Sequence, residues 1–437
     1  MTMIMQVSQA MQTVLVETAQ QEARTSGLIE RKGKVTGANF VQTLVFGWMH
    51  NPGATLEGLC QTGAAVGLAI TPQGLEQRFT RQAARFLYKV LQAAITQVVK
   101  AEPVAVSLLK RFKGVYVEDS SIITLPDEMA EIWAGCGGSQ TASKSAVKLQ
   151  VRWDMLAGEL DGPHLLNGRT HDRVATQQQR DLQSGSLRLT DLGYWKLADL
   201  EALALANCYW LSRLQSQTKF YDTDQNLWHL HDYVRHIATD TFDISIQLGA
   251  QKRLTARLIG TRVPKSVAEE RRRKLIRTAR RKGQTISPTR LALCDWTVLV
   301  TNVSSEQLAF DEAFILARLR WQIELLFKLW KSHGQLDKSR SAKPWRILCE
   351  FYAKLIGLII QHWLFLMGTW QFPNRSFPKA VHAIRQHALF LALGLQPAFD
   401  LSLILLVLQA CFQHLARINK SRSSPRAFQL LLSCHQP

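Results

Sequence analysis

The chain has 437 residues, with 53 Lys and Arg against 34 Asp and Glu, a formal net charge of +19. Its 46 % apolar and 20 % charged residues exclude a disordered or fibrous chain and provide a core for about two to four compact units. The basic excess argues against a cationic small-molecule substrate and for a polyanion, nucleic acid before an anionic membrane surface.

The seven cysteines are scattered, with no zinc-knuckle spacing, which fits a reduced intracellular compartment. The first residues have no basic lead and carry Glu17 and Glu22, so they do not read as a secretory signal. The most apolar stretch, Leu355 to Leu366, is bounded or interrupted by Lys354, Gln361 and His362. It falls short of the ~20 apolar residues that span a bilayer, and a buried core helix is expected there instead.

Residues 1–110 read as helical. Thr55 can cap one short helix, and Thr71 before Pro72 starts a second that runs to about Lys100. Arg78, Arg81 and Arg85 share one side of it. A short helix, a Gly-containing turn and a basic helix describe a DNA-reading helix-turn-helix and an ordinary helical hairpin alike.

From Gly114 the texture changes. GVYVEDSSIITLP is β-branched and alternating, so it reads as a strand, with Val115, Val117 and Asp119 on one face and Glu118 on the other. The two serines after Asp119 suggest that the strand ends there. VKLQVRWDM and GELDGPHLL follow as short antiparallel strands with turns at Gly158 and Gly162, and SLRLTD leads into a helix over about Tyr194 to Asn207. Asp191 lies at the C-terminal end of that last strand.

Residues 208–295 break the pattern. FDISIQL and LTARLIGTRV read as strands, and EERRRKLIRTARRKG as a helix in which Arg271 to Lys282 holds 8 basic residues in 12. That run is either a solvated face or a phosphate contact. His229, His231 and His236 could suggest a metal site, but the three do not share one strand face, so surface or satisfied histidines are the simpler reading. Cys294 to Val303 returns to strand. From Asp311 the chain is mostly helical, with a polar, basic break at 419–426 before a short final helix.

The segment 316–332, LARLRWQIELLFKLWKS, reads as one helix. At ~100° per residue with Arg320 as zero, Glu324 falls at about 40° and Lys331 at about 20°. Leu316, Ile323, Leu326, Phe327 and Trp330 form an apolar flank beside this Arg-Glu-Lys stripe. Two strand-end aspartates followed by a helical glutamate make a set of hard oxygen donors, the kind that holds Mg²⁺ or Mn²⁺ beside phosphate oxygens.

This helix resembles the Tyr-x2-Arg-x3-Glu-x6-Lys signature of the IS-four-type insertion-sequence transposases of the DDE class. Arg320, Glu324 and Lys331 match it, Trp321 is the usual tryptophan after the arginine, and Ala317 stands where the tyrosine would be. EDSS and TDLGYW resemble the blocks around that family's first and second aspartates, and the long gap from Asp191 to Glu324 resembles its β-rich insertion. The resemblance covers about residues 110 to 370.

The resemblance implies an α/β fold: a ribonuclease-H-like catalytic core, a mixed sheet flanked by helices, with a β-rich insertion and helical N- and C-terminal regions. The implied organisation is a DNA-binding region over 1–110, core over 111–207 and 296–372, the insertion over 208–295, and a helical region over 373–437. Asp119, Asp191 and Glu324 would be catalytic and would bind two Mg²⁺ (or Mn²⁺) ions. Arg320 and Lys331 would grip DNA phosphates. Trp296 would stack on a flipped base; the alternative for it is a core aromatic on a strand. The implied activity is cut-and-paste transposition through a hairpin intermediate. The partners would be the terminal inverted repeats and target DNA, the assembly a homodimer in the synaptic complex, and the location the prokaryotic cytoplasm, nucleoid-associated, with no membrane. Three rivals remain: an inactive transposase-derived DNA-binding protein, with Ala317 as its support, a structure-selective nuclease on the same fold, and a regulator built around residues 55–100.

Overall fold

A computed structural model describes residues 2–31, 33–136, 143–172, 181–281, 283–372, 374–418 and 431. The basic break at 419–426, Lys282 and Cys434 lie outside the described residues. The chain divides into two compact units. The first is built from Met1–Ala105, Asp119–Arg180 and Gln322–Gln429, the second from Val106–Glu118, Asp181–Trp321 and Leu430–Pro437.

The first unit is organised on the helix Pro344–Gly368, which starts with proline at its first position, where the missing N–H has no intrahelical partner to lose. By length and composition it could cross a membrane, but its apolar window is wholly buried in the protein, as a core helix should be. It packs against Arg81–Thr96 and Gly37–His50. Several of its polar side chains are paired. Lys354 meets Glu350 at 2.6 Å and also donates to the carbonyls of Gln335 and Lys338 at 3.0 and 2.8 Å. Burial pushes the His362 imidazole down to about 4, so it is neutral, and its Nε2–H donates to the Gly158 carbonyl at 2.7 Å.

Threonine caps set the N-terminal helices. Thr55 accepts from the Gly58 N–H ahead of Leu56–Ala65, and Thr71 from the Gly74 N–H ahead of Pro72–Glu76. The single helix expected from Thr71 to about Lys100 is two. Thr80 accepts from the Ala83 N–H and starts a new helix, Arg81–Thr96, so Arg78 falls in the connecting turn.

The strands of the first unit follow the order β3-β2-β1. β1 (Val115–Leu125) gives this unit its part from Asp119 onward. The strand does not end at the serines, because Ile122, Ile123 and Thr124 carry β-branched side chains that favour its continuation to Leu125. β2 (Ser145–Asp154) is buried at every residue and pairs antiparallel with β3 (Leu160–Asn167). Gly158 turns between them at φ +77°, where a Cβ would meet Leu366 Cδ2 at 2.3 Å. Gly162 lies within β3 rather than in a turn, at φ +111°, across from the register shift at Gln150/Arg152.

The second unit takes the N-terminal part of β1 and adds β4 (Leu187–Leu189), β5 (Tyr209–Arg213), β6 (Lys219–Tyr221), β7 (Leu227–His229), β8 (Thr241–Leu248), β9 (Leu254–Arg262) and β10 (Trp296–Thr301). Their order is β1-β4-β5-β10-β9-β8-β6-β7. The β1/β4 and β4/β5 pairs are parallel and the remaining pairs antiparallel, the mixed sheet with helices expected of an α/β fold. The helix Leu197–Leu205 connects β4 to β5, and the helix Lys265–Arg281 lies between β9 and β10. Trp210, Phe220, Phe242, Leu258 and Trp296 belong to this unit's apolar core.

Candidate active site

Asp119 stands in the middle of β1, half-buried, and its Oδ1 accepts the backbone N–H of Ser120 at 2.8 Å. The Ser120 hydroxyl donates to Asp172 Oδ1 at 2.9 Å, and the same oxygen accepts from Lys148 Nζ at 2.7 Å. Lys148 is 5 % exposed, on the buried strand β2. A buried ammonium needs a counter-charge, so the Asp172 carboxylate is held in place and in turn holds the serine next to Asp119.

Glu324 lies in the first turn of the helix Trp321–Ser332 and Lys331 in its last turn. Ile323, Leu326, Phe327 and Trp330 are buried, so the apolar flank read from the sequence faces the core. That burial orients the polar stripe. Lys331 Nζ donates to the carbonyl of Ile122 at 3.2 Å, tying the end of the helix to β1. Asp119, Ser120, Ser121, Glu324, Lys331 and Asp337 help line one cleft of about 630 Å³. The loop that carries Asp337 and Lys338 is anchored by Lys354 on the Gln335 and Lys338 carbonyls and by Ser339, which donates to Glu350 at 2.7 Å.

The one helix expected over 316–332 is two segments, Phe310–Leu319 and Trp321–Ser332, meeting at Arg320. The Arg320 N–H turns to the Arg318 carbonyl, which interrupts the i→i−4 ladder at that point.

Arg320, Asp191 and Trp296 belong to the second unit. Asp191 follows β4, and its Oδ1 accepts the Leu192 N–H at 2.7 Å, capping the turn Leu192–Tyr194. The parallel β1/β4 register runs from Val115/Leu187 to Val117/Leu189, just ahead of Asp191 in the chain. Glu118, on the opposite strand face from Asp119, is fully buried and pairs with Arg188 at 2.6 and 2.8 Å. Trp296 is 6 % exposed, packed on the Phe242 ring at 5.4 Å with the Arg262 guanidinium 5.0 Å from its centroid. That is the core position the sequence left open for it. His229 and His231 stack at 5.5 Å, and His236 lies against Trp228 at 5.3 Å.

Among the described residues, no group of three or more His, Cys, Asp or Glu side chains is arranged to hold a metal ion. The donor chemistry of the cleft is nonetheless the hard-oxygen kind: the Asp119, Glu324 and Asp337 carboxylates with three serine hydroxyls, and neither thiol nor imidazole among them. Those residues fit Mg²⁺ or Mn²⁺. Sequence reasoning passed over Lys148 and Asp172. The alternation of Lys148, Gln150, Arg152 and Asp154 on one face of β2 is a readable sign of a polar strand face, whereas nothing in the sequence around Asp172 marks it.

Residues 110–360 match the family described as the transposase DDE domain. The transposase of insertion sequence element IS231F from Bacillus thuringiensis subsp. israelensis is 25 % identical over 431 residues, covering 91 % of this chain and 89 % of the relative. That of IS231B from B. thuringiensis subsp. berliner is 26 % identical over 363 residues, covering 77 % and 75 %. That of IS1151 from Clostridium perfringens is 26 % identical over 362 residues, covering 77 % and 76 %. With more than half of its length matched to that one domain, the chain belongs to the DDE-type insertion-sequence transposases, enzymes that cleave and transfer DNA strands.

Proposed function

We propose that the protein excises an element from DNA and inserts it elsewhere, using Asp119, Asp191 and Glu324 on a ribonuclease-H-like core to hold two Mg²⁺ or Mn²⁺ ions. The observation that carries the reading is the cleft in which Asp119, from β1, and Glu324, from a helix of the same unit, come together beside Lys331. Asp191, which follows β4 and caps the turn Leu192–Tyr194, is the third acid of the proposed set. Members of this family use divalent metal ions. When bound, such ions supply a Lewis acid for water and neutralise charge on the phosphate.

The chain's own residues position the reacting strand. Arg320 forks onto phosphate oxygens, which its planar guanidinium suits. Lys331 exchanges its Ile122 carbonyl for a phosphate oxygen, keeping a donor role in both states. Ser120, held by Asp172, fixes the backbone beside Asp119 and so the direction of its carboxylate. Cleavage at the element's end frees a 3′-OH. That oxygen attacks a phosphate of the opposite strand and expels the 3′-oxygen of the flanking DNA, giving a hairpin; water reopens the hairpin, and the freed 3′-OH then attacks a target phosphate and expels a target 3′-oxygen. Two ends must be held together, so the working form is a homodimer on the terminal inverted repeats. Trp296 serves the hairpin step only by leaving Phe242 and Arg262.

The test is cutting of a DNA end with Mg²⁺ by Glu324→Gln protein. A fall of at least ~100-fold is expected for loss of one group aimed at transition-state charge. Wild-type-like cutting by the variant would refute the triad. Ala317, in place of the family's tyrosine, is the one feature favouring an inactive DNA-binding derivative; binding to an inverted repeat without any nicking by the wild type would establish that reading instead.

A further inference from the structure

The helix Lys265–Arg281 of the second unit sorts its six arginines into two sets. At ~100° per residue with Arg273 as zero, Arg271, Ala268, Ala279 and Arg272 fall between about 160° and 260°. This is the face turned to the protein: Ala268 and Ala279 are buried. Arg271 donates to the Trp296 carbonyl at 2.8 Å and to the Thr297 hydroxyl at 3.0 Å, and Arg272 pairs with Asp295. These two arginines dock the helix onto the start of β10.

The second set points the other way. Arg280, Arg273, Arg277 and Arg281 fall at about 340°, 0°, 40° and 80°. All four are exposed. Only Ala268 and Ala279 of the helix's residues are buried, so apolar burial does little to hold it. Glu269 and Glu270 sit beside Arg273 at the start of this face, and Glu270 pairs with Lys274, but Arg277 and Arg281 are like charges at i,i+4, a destabilisation of ~0.2–0.5 kcal/mol in the free helix. A row of phosphates would reverse that sign.

We propose that Arg273, Arg277 and Arg280 form a second track for a DNA duplex, a sequence-independent contact to the phosphate backbone outside the cleft of Asp119 and Glu324. From Arg273 to Arg280 the helix rises ~10.5 Å, about three phosphates of one strand at ~3.4 Å each. Guanidinium groups suit phosphate oxygens and stay charged at any working pH. The track carries no base-reading geometry, so it contributes affinity and register and not sequence choice. The inference rests on the transposase reading, because it takes DNA as the polyanion.

The test uses the full-length protein and a random-sequence duplex, with affinity measured from 50 to 200 mM salt. Arg273→Gln/Arg277→Gln/Arg280→Gln should flatten the log–log slope by ~2.7, so that the wild type loses ~40-fold more affinity than the variant across that fourfold range. A matched variant, Lys196→Gln/Lys219→Gln/Lys252→Gln, removes the same charge from exposed lysines of the same unit and should leave the slope unchanged. Equal slopes for wild type and arginine variant, or equal flattening by both variants, would overturn the track. Loss of binding to phosphatidylserine vesicles with an unchanged duplex slope would assign the stripe to a lipid surface and also overturn it. Folding of the variants is checked by their thermal unfolding. A wild type that cuts DNA ends while the arginine variant keeps its slope sinks the track alone, whereas a wild type that binds no DNA sinks the functional reading itself.

Discussion

Lys331 Nζ donates to the carbonyl of Ile122, three residues beyond Asp119 on the same strand. The ammonium thus has a backbone partner within the cleft lined by both acids. A single charge-assisted bond at a partly exposed site is worth only ~1 kcal/mol, so its value to the fold is small. Lys331→Met should therefore lower end cutting by ~100-fold while shifting the thermal midpoint by no more than a few degrees. Calorimetry and a gel cleavage assay on the same preparation check both halves.

Asp172→Asn removes the counter-charge of the buried Lys148 and weakens the hydrogen bond to Ser120. The expected result is slower cutting and a higher Mg²⁺ requirement, since the Asp119 backbone is less firmly held. Lys148→Met/Asp172→Asn, which leaves no unpaired buried charge, should recover the thermal midpoint but not the metal dependence. A Mg²⁺ titration of the three proteins separates positioning from stability.

Glu118 and Arg188 form a buried ion pair at the β1/β4 pairing. Glu118→Gln leaves a buried guanidinium with no full counter-charge, and the cost is ~3–5 kcal/mol. Glu118→Leu/Arg188→Met should cost much less than either single change, because both charges go together. Urea unfolding of the three variants gives the comparison.

Lys354 is lowered in pKa by burial, against the pull of Glu350, and it still joins Glu350, Gln335 and Lys338. Lys354→Met strands the Glu350 charge and frees two carbonyls, for a loss of ~3–5 kcal/mol. Limited proteolysis should then cut first within residues 335–341, and Glu350→Gln/Lys354→Met should restore part of the resistance.

His362 is pushed down to about 4 from the ordinary 6.5 by burial. The unfolded chain therefore takes up the proton first as pH falls. The stability tied to this group is complete above pH ~6.5 and declines toward pH 4, by up to ~3 kcal/mol. His362→Gln should flatten the dependence of the unfolding midpoint between pH 7 and 5 relative to wild type. An identical slope in both proteins would remove His362 as a source of acid sensitivity.

Much of this was legible in the residues because local chemistry set it. Thr55 and Thr71 cap helices, the β-branched run around Asp119 makes a strand, and the stripe of Glu324 and Lys331 follows from helical spacing. What the sequence hid depends on partners far along the chain. Glu118 has a charge that could be solvated or buried, and only Arg188, 70 residues away, decides between the two. The break at Arg320 and the new start at Thr80 are local hydrogen-bond choices that compete with a continuous helical pattern. Asp172 is tied to its strand neighbours by a lysine on β2, a pairing that periodicity does not register.

The helix Pro344–Gly368 covers the apolar faces of Arg81–Thr96 and Gly37–His50, which are made much earlier on the ribosome. Roughly 250 residues of chain separate Thr96 from Pro344, or ~12–50 s of synthesis at ~5–20 residues per second. Through that interval the faces of these two helices that pack on Pro344–Gly368 await their cover, exposed to chaperones or to neighbouring nascent chains. A chain released before Pro344 emerges keeps those sticky faces even though it already carries Glu324, so premature termination yields an aggregating product that holds all three acids.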